Sequence, residues 1–429
     1  MNYSVNKIYC ISFSFIKGGA AIAARKFSDI LIKNGYPVSN VSQDYSGKWH
    51  FFLRLVSYFL GFLQTKTDPI KHSLNLFSDV KVLDVLSHKD ALHHLHWINN
   101  DTLSVFSFDK IPANSIITLH DEWLYCGTEH YCSFIPQCYS GNANKLASLP
   151  FSCGYPKAII DRNGINWKYI VWNEKLKQIS SREDLIFTVP SKWMLKRALS
   201  SMILSGKDIR ILPNPIDTDV FMPSLHVSEI RKKYSINCSD VVLTFGAVGG
   251  NINPAKGALL MLEALDILPT LIKPELINKI KLVMFGSKSK AEVKTPFSCF
   301  EIGHVSDQHE LAEIYAMSDC VIVPSYVESF GQVAAEAQAC GVPVVAFATS
   351  GITDVVVDKQ TGLLAEPFSS MSLAQKIAEI ITLDSQQINA YSSAARWHVL
   401  NSFSYDVVAK KYIDIVNEAI SKKNVIKEV

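Results

Sequence analysis

Short runs of β-branched and other apolar residues alternate with longer stretches of helical pattern along most of the chain. This alternation is typical of parallel sheets covered by helices, because neighbouring parallel strands need a crossover connection. The runs fall into two sets, and each set is large enough for its own α/β domain. We predict strands in the first set at Lys7–Phe13, Pro37–Val41, Ala91–His96, Ile116–His120, Leu185–Val189 and Ile209–Leu212. In the second set we predict strands at Val241–Phe245, Lys281–Phe285, Cys320–Pro324, Val344–Phe347 and Gly362–Leu364, with helices from Gly257, Gln308, Phe330 and Ser372.

The two sets are joined by a segment rich in Pro and Asx residues, Leu212–Phe221, which is typical of a linker. The length of 429 residues suits two or three domains at roughly 150 residues each. We therefore predict an N-terminal domain over 1–221 and a C-terminal domain over 222–400. A final helix in 401–429 could pack on either domain, including by crossing back to the first.

Composition excludes several classes of protein. The net charge is +2, from 42 basic and 40 acidic residues, so the chain lacks the excess of positive charge that is typical of nucleic-acid-binding proteins. Hydrophobic residues reach 48%, which excludes a disordered chain, and nine cysteines do not make a disulfide scaffold. The polar N-terminus lacks the pattern of a secretory signal, so we expect a cytoplasmic location.

The longest apolar stretch is Phe51–Leu63, which contains Arg54 and is shorter than the ~20 residues that cross a bilayer. We therefore expect no transmembrane span. As a helix this stretch is apolar nearly all round, so it either packs internally or lies on the inner face of a membrane.

The loop after the predicted strand at Cys320–Pro324 carries the strongest local signal. Ser329 with Gln332 three residues later forms a capping-box pattern, which predicts a helix that begins at Phe330. Glu328 then lies in the loop at the carboxyl end of the strand. The N–H groups of Phe330 and Gly331 face outward at the positive end of the helix dipole, where a phosphate is readily accepted.

A second acid, Glu336, lies within the same predicted helix, about 10 Å further along its axis. The surrounding residues 333–345 are almost all small or apolar, so a carboxylate there is costly unless it faces a cleft with a partner. An isolated glutamate in an Ala-rich helix is otherwise an ordinary solvated residue. We therefore favour the interpretation in which the Glu336 carboxylate faces a cleft and has a partner there.

Residues 328–346 closely resemble the Glu-x7-Glu motif of retaining nucleotide-sugar glycosyltransferases of family 4. The resemblance implies the GT-B architecture, in which two Rossmann-like domains face each other across an interdomain cleft. It implies that Glu328 holds hydroxyls of the donor sugar, that Glu336 holds the ribose, and that Phe330 and Gly331 contact the donor phosphates.

Two segments of the first half also resemble the family. Gly18 and Gly19 match its glycine loop, where backbone can approach a ligand closely, although a Gly-Gly pair after a strand is also an ordinary turn. His120 matches the histidine that faces the donor sugar, while a lone His after a strand is often structural. His96 and Trp97 match a subgroup of the family and receive no chemical role.

In the second half, residues 254–257 resemble the loop whose basic residues hold the donor diphosphate, with Lys256 as the cation. The alternative is a solvated lysine at a helix start. The chain departs from the family at Ala247, where an Arg is common, and in the insert at 248–253. Phosphate binding therefore depends on Lys256 and on backbone amides.

Two metal sites can be weighed. Asp217 and Asp219 form an Asp-x-Asp triplet, but it follows Pro-Asn-Pro in a linker rather than a buried strand, so we discount a metal there. Four cysteines could bind a tetrahedral zinc, but they lack a Cys-x2-Cys pair, and reduced thiols in a long loop are the alternative. These are Cys126, Cys132, Cys138 and Cys153.

Together the residues and the resemblance imply a retaining glycosyltransferase of hexosyltransferase type that needs no metal or other cofactor. It would move a sugar from a nucleotide-diphosphate donor to a saccharide acceptor in bacterial surface polysaccharide assembly, such as O-antigen, capsule or exopolysaccharide. The acceptor could be lipid-linked, with peripheral membrane contact through 51–63. The alternatives are a nucleotide-sugar epimerase of the same fold and a noncatalytic protein that binds the donor. The sequence does not specify the sugar, the base, the acceptor or the oligomeric state.

Overall fold

A computed structural model describes residues 7–44, 47–65, 71–131, 165–246, 254–286 and 293–427. The chain divides into two compact units. Unit 1 consists of Met1–Pro213 and Ala409–Val429, and unit 2 consists of Asn214–Val408. The division falls at Pro213, within the predicted linker, and the domain boundary near Phe221 stays a prediction.

Unit 1 contains a six-stranded sheet in which all neighbours are parallel. Its strands are β1 Ile8–Ile11, β2 Val38–Val41, β3 Leu92–Leu95, β4 Ile116–Thr118, β5 Ile186–Val189 and β6 Asp208–Ile211. All six predicted strands of the first set are confirmed, each somewhat shorter or shifted by a residue. The α-helices that begin in this half of the chain are α1 Gly19–Lys33, α2 Lys48–Thr65, α3 Val80–Ser87, α4 Trp167–Ile179 and α5 Lys192–Ser200.

Unit 2 contains a second six-stranded parallel sheet. Its strands are β7 Val241–Gly246, β8 Ile280–Phe285, β9 Ser298–Gly303, β10 Cys320–Val323, β11 Val344–Phe347 and β12 Gly362–Ala365. Five of these were predicted, and the edge strand β9 was not. The α-helices are α6 Val227–Lys233, α7 Ala258–Ile267, α8 Pro274–Ile277, α9 Gln308–Ala316, α10 Gln332–Ala339, α11 Ile352–Val355, α12 Ser370–Ile381, α13 Ser385–Ser402 and α14 Tyr405–Lys427.

The last helix, α14, begins in unit 2, and most of its length belongs to unit 1. There the Tyr412 hydroxyl lies 2.6 Å from His94 Nδ1 on β3. Glu418 accepts two hydrogen bonds from Arg210 on β6, at 2.6 and 2.8 Å. Of the two packing partners that the sequence left open for this helix, the structure therefore shows extensive contacts with the first sheet.

The central strands of unit 2 are buried on both faces. Val321 and Val323 of β10 belong to one apolar cluster, whereas Ile322 belongs to the other. A strand that is covered on both sides can be apolar at every position, so it reads as a continuous hydrophobic run. This burial explains why the sequence pattern located β10 and β11 to the residue or nearly so.

The strand orders determine where ligands can bind. The first sheet has the order β2-β1-β3-β4-β5-β6, and the second has β12-β11-β10-β7-β8-β9. In open parallel sheets, ligands bind beyond the carboxyl ends of the strands where the order reverses direction. In unit 1 this point lies between β1 and β3, and in unit 2 it lies between β7 and β10.

Candidate active site

The switch point of unit 2 brings together the two predicted residues Lys256 and Glu328. Lys256 belongs to a single 3₁₀ turn, Pro254–Lys256, that precedes α7, and Glu328 follows β10. The Lys256 Nζ lies 2.5 Å from Glu328 Oε1, and the same oxygen accepts a hydrogen bond from the Ser325 hydroxyl at 2.9 Å. The side chains are 26% and 18% exposed, so this ion pair is partly open to solvent.

Gly257 holds the Lys256 turn against the loop after β10. Its φ is +68°, and a Cβ at this position would lie 1.8 Å from the Pro324 carbonyl oxygen. Next to this close approach, the Tyr326 N–H donates to the Ala255 carbonyl at 2.9 Å. Only glycine allows both the left-handed conformation and the contact between the two backbones. The sequence predicted Gly257 as the beginning of a helix and as part of the loop that resembles the diphosphate-binding segment, but not this backbone contact.

A third loop, after β11, holds the backbone of Glu328 from the other side. The Glu328 N–H donates to the Ser350 hydroxyl at 2.9 Å, and the Glu328 carbonyl accepts from Gly351 N at 2.9 Å. A Cβ on Gly351 would lie 2.3 Å from the Ser329 carbonyl oxygen. Glu328 is thus positioned by three loops, and the sequence indicated two of them but not the loop after β11.

The predicted beginning of the helix is wrong by two residues. Helix α10 begins at Gln332, with Gly331 at φ +106° as its N-cap and no side-chain cap. Phe330 is 2% exposed and packs edge-on against Phe403, with ring centroids 5.2 Å apart. Burial of this ring and the left-handed glycine therefore displace the capping box at Ser329. The first amides of the helix, which lack acceptors within it, are those of residues 332–334.

The buried acid Glu336 has the partners that its environment requires. Its side chain accepts from Gln332 Nε2 at 2.7 Å and from the Tyr315 hydroxyl at 3.3 Å. The residue is only 7% exposed. Burial and the neighbouring carboxylate hold the pKa of Tyr315 well above its usual value. The sequence assigned Gln332 to a capping box. Its side chain instead donates to Glu336, and this hydrogen bond offsets part of the free-energy cost of burying the carboxylate.

In unit 1, His120 lies just beyond the carboxyl end of β4, as predicted. Its Nε2 lies 3.2 Å from His96 Nδ1, and the two rings are stacked. Burial lowers the pKa of His120 to about 4, so the ring is neutral at pH 7. His96, which received no chemical role, thus contacts His120 directly.

The neighbouring Asp121 is fully engaged by other side chains. It lies 2.5 Å from His130 Nδ1 and accepts from Trp97 Nε1 at 2.7 Å. His130 is the largest cause that lowers the pKa of this carboxyl, against the opposing effect of burial. This network fixes the segment that carries His120.

The glycine loop precedes α1 at the carboxyl end of β1. Gly18 has φ +97° and is the N-cap of the helix that begins at Gly19. The loop is braced by a 2.7 Å hydrogen bond from the Ser14 hydroxyl to Asp44. A Cβ on either glycine would meet nothing within 4 Å, so conformation rather than space requires glycine at Gly18.

The two metal interpretations fare differently. Asp217 Oδ1 accepts the backbone N–H groups of Asp219 and Val220 at 3.2 and 3.3 Å, which is turn chemistry. Of the four cysteines, Cys126 is buried, and Cys132, Cys138 and Cys153 lie outside the described residues, as do Ala247 and the insert at 248–253. The zinc interpretation therefore remains untested.

The apolar stretch at 51–63 forms most of helix α2, which runs over Lys48–Thr65. Within the described residues, no helix combines the length and the hydropathy needed to pass through a bilayer. One side of α2 packs inward through Ser57 and Gly61. The opposite side exposes large apolar residues, each 45–71% accessible: Trp49, Phe51, Phe52, Leu55, Tyr58, Phe59, Phe62 and Leu63.

The two parallel six-stranded sheets define the fold class as GT-B. Over 96% of this chain, the structure resembles Anabaena Alr3699/HepE in complex with UDP and glucose, with a TM-score of 0.59, 16% identity and 99% of that chain covered. It resembles WaaG, a glycosyltransferase involved in lipopolysaccharide biosynthesis, to a similar degree, with a TM-score of 0.59, 16% identity and coverage of 95% and 99%. Similarity at this level of identity establishes the fold alone.

Residues 228–397 match the family described as "Glycosyl transferases group 1". The match lies entirely in unit 2. A D-inositol 3-phosphate glycosyltransferase of Stackebrandtia nassauensis is 30% identical over 229 residues, which are 51% of this chain and 50% of that protein. The chain spans about half the length of the curated relatives it matches. Glycosyl transferases group 1 is the family that these findings support.

Proposed function

We propose that this protein is a glycosyltransferase that moves a sugar from a nucleotide-diphosphate donor to a saccharide acceptor. The observation that carries the proposal is the Lys256–Glu328 ion pair, which lies at the switch point of a sheet within the family match. A cation and a carboxylate side by side suit the two halves of such a donor, a charged diphosphate and a hydroxyl-rich sugar. The HepE structures in complex with UDP and UDP-glucose support a nucleotide sugar as the donor.

In this proposal Lys256 stabilises the charge that develops on the leaving diphosphate. Its ammonium has three donors, and Glu328 accepts only one of them. The amides at 332–334 and the positive end of the α10 dipole add to this stabilisation, in a position next to the originally predicted Phe330 and Gly331. Such preorganised positive groups lower the barrier most when they face the atoms on which negative charge develops in the transition state.

Glu328 holds hydroxyls of the donor sugar; Lys256 and Ser325 share its Oε1, which leaves Oε2 to accept from the sugar. Double displacement requires a second carboxyl group about 5 Å away, as in retaining glycosidases. We therefore propose retention by a same-face course, in which the leaving phosphate oxygen takes the proton of the acceptor. We assign the ribose to Glu336, and the transferred sugar to the neutral ring of His120 in unit 1.

We assign the acceptor side to unit 1, with its glycine loop at Gly18 and Gly19. The exposed apolar side of α2 carries no acidic residue, and its aromatic residues are of the kind that settle at a membrane surface. We propose that α2 rests on the cytoplasmic face of a membrane, which would suit a lipid-linked acceptor in surface polysaccharide assembly. WaaG, with the same fold, is involved in lipopolysaccharide biosynthesis.

The proposal is tested by measuring the thermal shift of the full chain with UDP-, GDP-, ADP- and dTDP-sugars. A ligand that binds only the folded state raises the unfolding temperature. We expect one of these donors to do so, and to release free nucleotide diphosphate only when an acceptor is present. Conversion of the donor to an epimeric nucleotide sugar without an acceptor would favour an epimerase, and binding with no turnover on a broad acceptor panel would favour a noncatalytic donor-binding protein.

A further inference from the structure

Unit 1 contains a pocket of about 660 Å³ under helix α2 that none of the proposed residues uses. One wall is formed by α2, and the facing wall is formed by residues 71–74 and by the loop after β3 that includes Asp101. Two basic residues line the pocket, Arg54 from α2 and Lys71 from the facing wall. The pocket thus lies at the carboxyl edge of the first sheet, on the same edge as His120.

The two cations are close enough to repel each other. Burial of the ammonium lowers the pKa of Lys71 to about 8; Asp121 opposes this shift, and Arg54 adds to it, although Lys71 as a whole residue is exposed. The ammonium of Lys71 is crowded against the Trp97 ring, 4.1 Å from its centroid. Within the described residues, neither cation forms an ion pair shorter than 4 Å. Two neighbouring positive charges that are not directly paired favour an anion between them.

The acidic groups nearby have hydrogen-bond partners of their own and act on the two cations only at longer range. Asp101 accepts the Phe77 N–H at 3.0 Å, and burial raises the pKa of its carboxyl to about 6, so it is mostly ionised at pH 7. With Asp79 it favours the charged form of Arg54, without a direct ion pair among the described residues. Asp121 is bound by His130 and Trp97. Arg54 packs on the Phe13 ring, 4.7 Å from its centroid, and its Nε is buried with no hydrogen-bond partner among the described residues. One donor of the Arg54 guanidinium is therefore buried and unsatisfied beside the pocket that this residue lines.

We infer that this pocket binds a phosphate group of the acceptor, held between Arg54 and Lys71. A phosphate ester carries up to two negative charges, which match the two cations, and it accepts the forked donors of a guanidinium. The inference rests on the proposed function and names the class of acceptor. The link to the reaction centre is short, because Lys71 packs on Trp97, which bonds to Asp121, the residue next to His120.

The phosphate could belong to a water-soluble sugar phosphate or to a lipid phosphate. The rim of the pocket is apolar, with Phe51, Leu55, Tyr58 and Phe62 exposed along α2. A phosphate with an attached hydrocarbon chain could place its charge on the cations and its chain along this rim. The test therefore uses one probe of each kind.

The experiment measures binding of the full chain to sn-glycerol 3-phosphate and to phosphatidylcholine vesicles with and without a polyprenyl phosphate. We expect binding in at least one arm, at least about tenfold weaker in Arg54→Gln and in Lys71→Gln. Arg54→Lys should recover part of the loss, which a purely structural role would not predict. The matched control is Lys177→Gln, an exposed cation on α4, which should bind like the wild type.

Binding of glycerol phosphate identifies a soluble acceptor, and binding only to polyprenyl-phosphate vesicles identifies a lipid-linked one. The inference is overturned if neither probe binds, or if both glutamine variants bind as tightly as the wild type. A nucleotide-sugar thermal shift on the same variants separates this failure from that of the proposed function. Arg54→Gln should keep the shift of the wild type, because Arg54 is not among the residues assigned to the donor.

Discussion

Replacement of Gly257 by alanine tests whether the Lys256 turn is held in place by backbone contact. The new methyl group would begin 1.8 Å from the Pro324 carbonyl oxygen, whereas such contacts are essentially never shorter than 3.0 Å. The two loops must therefore separate by at least about 1.2 Å. This movement breaks the Tyr326–Ala255 hydrogen bond and carries Lys256 away from Glu328.

The cost can be worked out from these contacts. A non-glycine residue at φ +68° costs about 1–2 kcal/mol, and the lost hydrogen bond adds about 1 kcal/mol. For a unit of this size, a loss of about 2–3 kcal/mol lowers Tm by roughly 4–12 °C. Because a shift of about 1 Å in a catalytic group can cost about 10²-fold, turnover should fall by more than the loss of stability implies.

The assay is differential scanning calorimetry of Gly257→Ala together with its donor-induced thermal shift. Gly18→Ala is the matched control, since Gly18 also has a positive φ but a Cβ there would meet nothing within 4 Å. Gly18→Ala should lose only the conformational part of the stability and should keep the donor shift. If Gly257→Ala has the Tm and the donor shift of the wild type, the two loops are not in the contact described.

Three further predictions address charge. Lys256→Ala should lower kcat by about tenfold or more with a smaller change in stability, because an opposite charge near the leaving diphosphate is worth a few kcal/mol. Stopped assays with the identified donor measure kcat. An unchanged kcat would contradict the role of Lys256 in stabilising the leaving diphosphate. Glu336→Gln should weaken donor binding in calorimetric titration and should also move the unfolding temperature, since two hydrogen bonds depend on the carboxylate; wild-type affinity excludes the ribose assignment. His93 has a pKa lowered from 6.5 to about 4 by burial, so its folded form resists protonation. Its contribution is complete above pH 6.5 and is lost as the pH falls towards 4, up to about 3 kcal/mol; His93→Gln should flatten the decline of Tm with acid, and an equally steep decline contradicts the assignment.

Most of the architecture could be predicted from the sequence because the central strands are buried on both faces. β10 and β11 are continuous apolar runs and were located almost exactly. The edge strand β9 was missed because its residues are mostly half-buried, and its sequence Ser-Cys-Phe-Glu-Ile-Gly has no clear pattern. An edge strand carries a weaker hydrophobic signal, since one of its sides is not covered by a neighbour.

The candidate site was predictable in its residues and less so in its contacts. Glu328 was placed by local pattern and Lys256 by the resemblance to a family, but 72 residues separate them, and no local pattern gives their ion pair. The helix after Glu328 was predicted two residues early because the Ser329 capping pattern is local, whereas the burial of Phe330 against Phe403 is tertiary. Glu336 was expected to need a partner; Gln332 lies one helical turn before it and could have been named from the spacing, whereas Tyr315 is a tertiary contact.

The most direct test of the account is a crystal structure of the chain with the nucleotide sugar that gives the largest thermal shift. The decisive measurement is the distance from Lys256 Nζ to the nearest diphosphate oxygen. The account predicts about 3 Å, with the sugar hydroxyls beside Glu328. A donor bound elsewhere, or a diphosphate with no contact to Lys256 or to the first amides of α10, would contradict it.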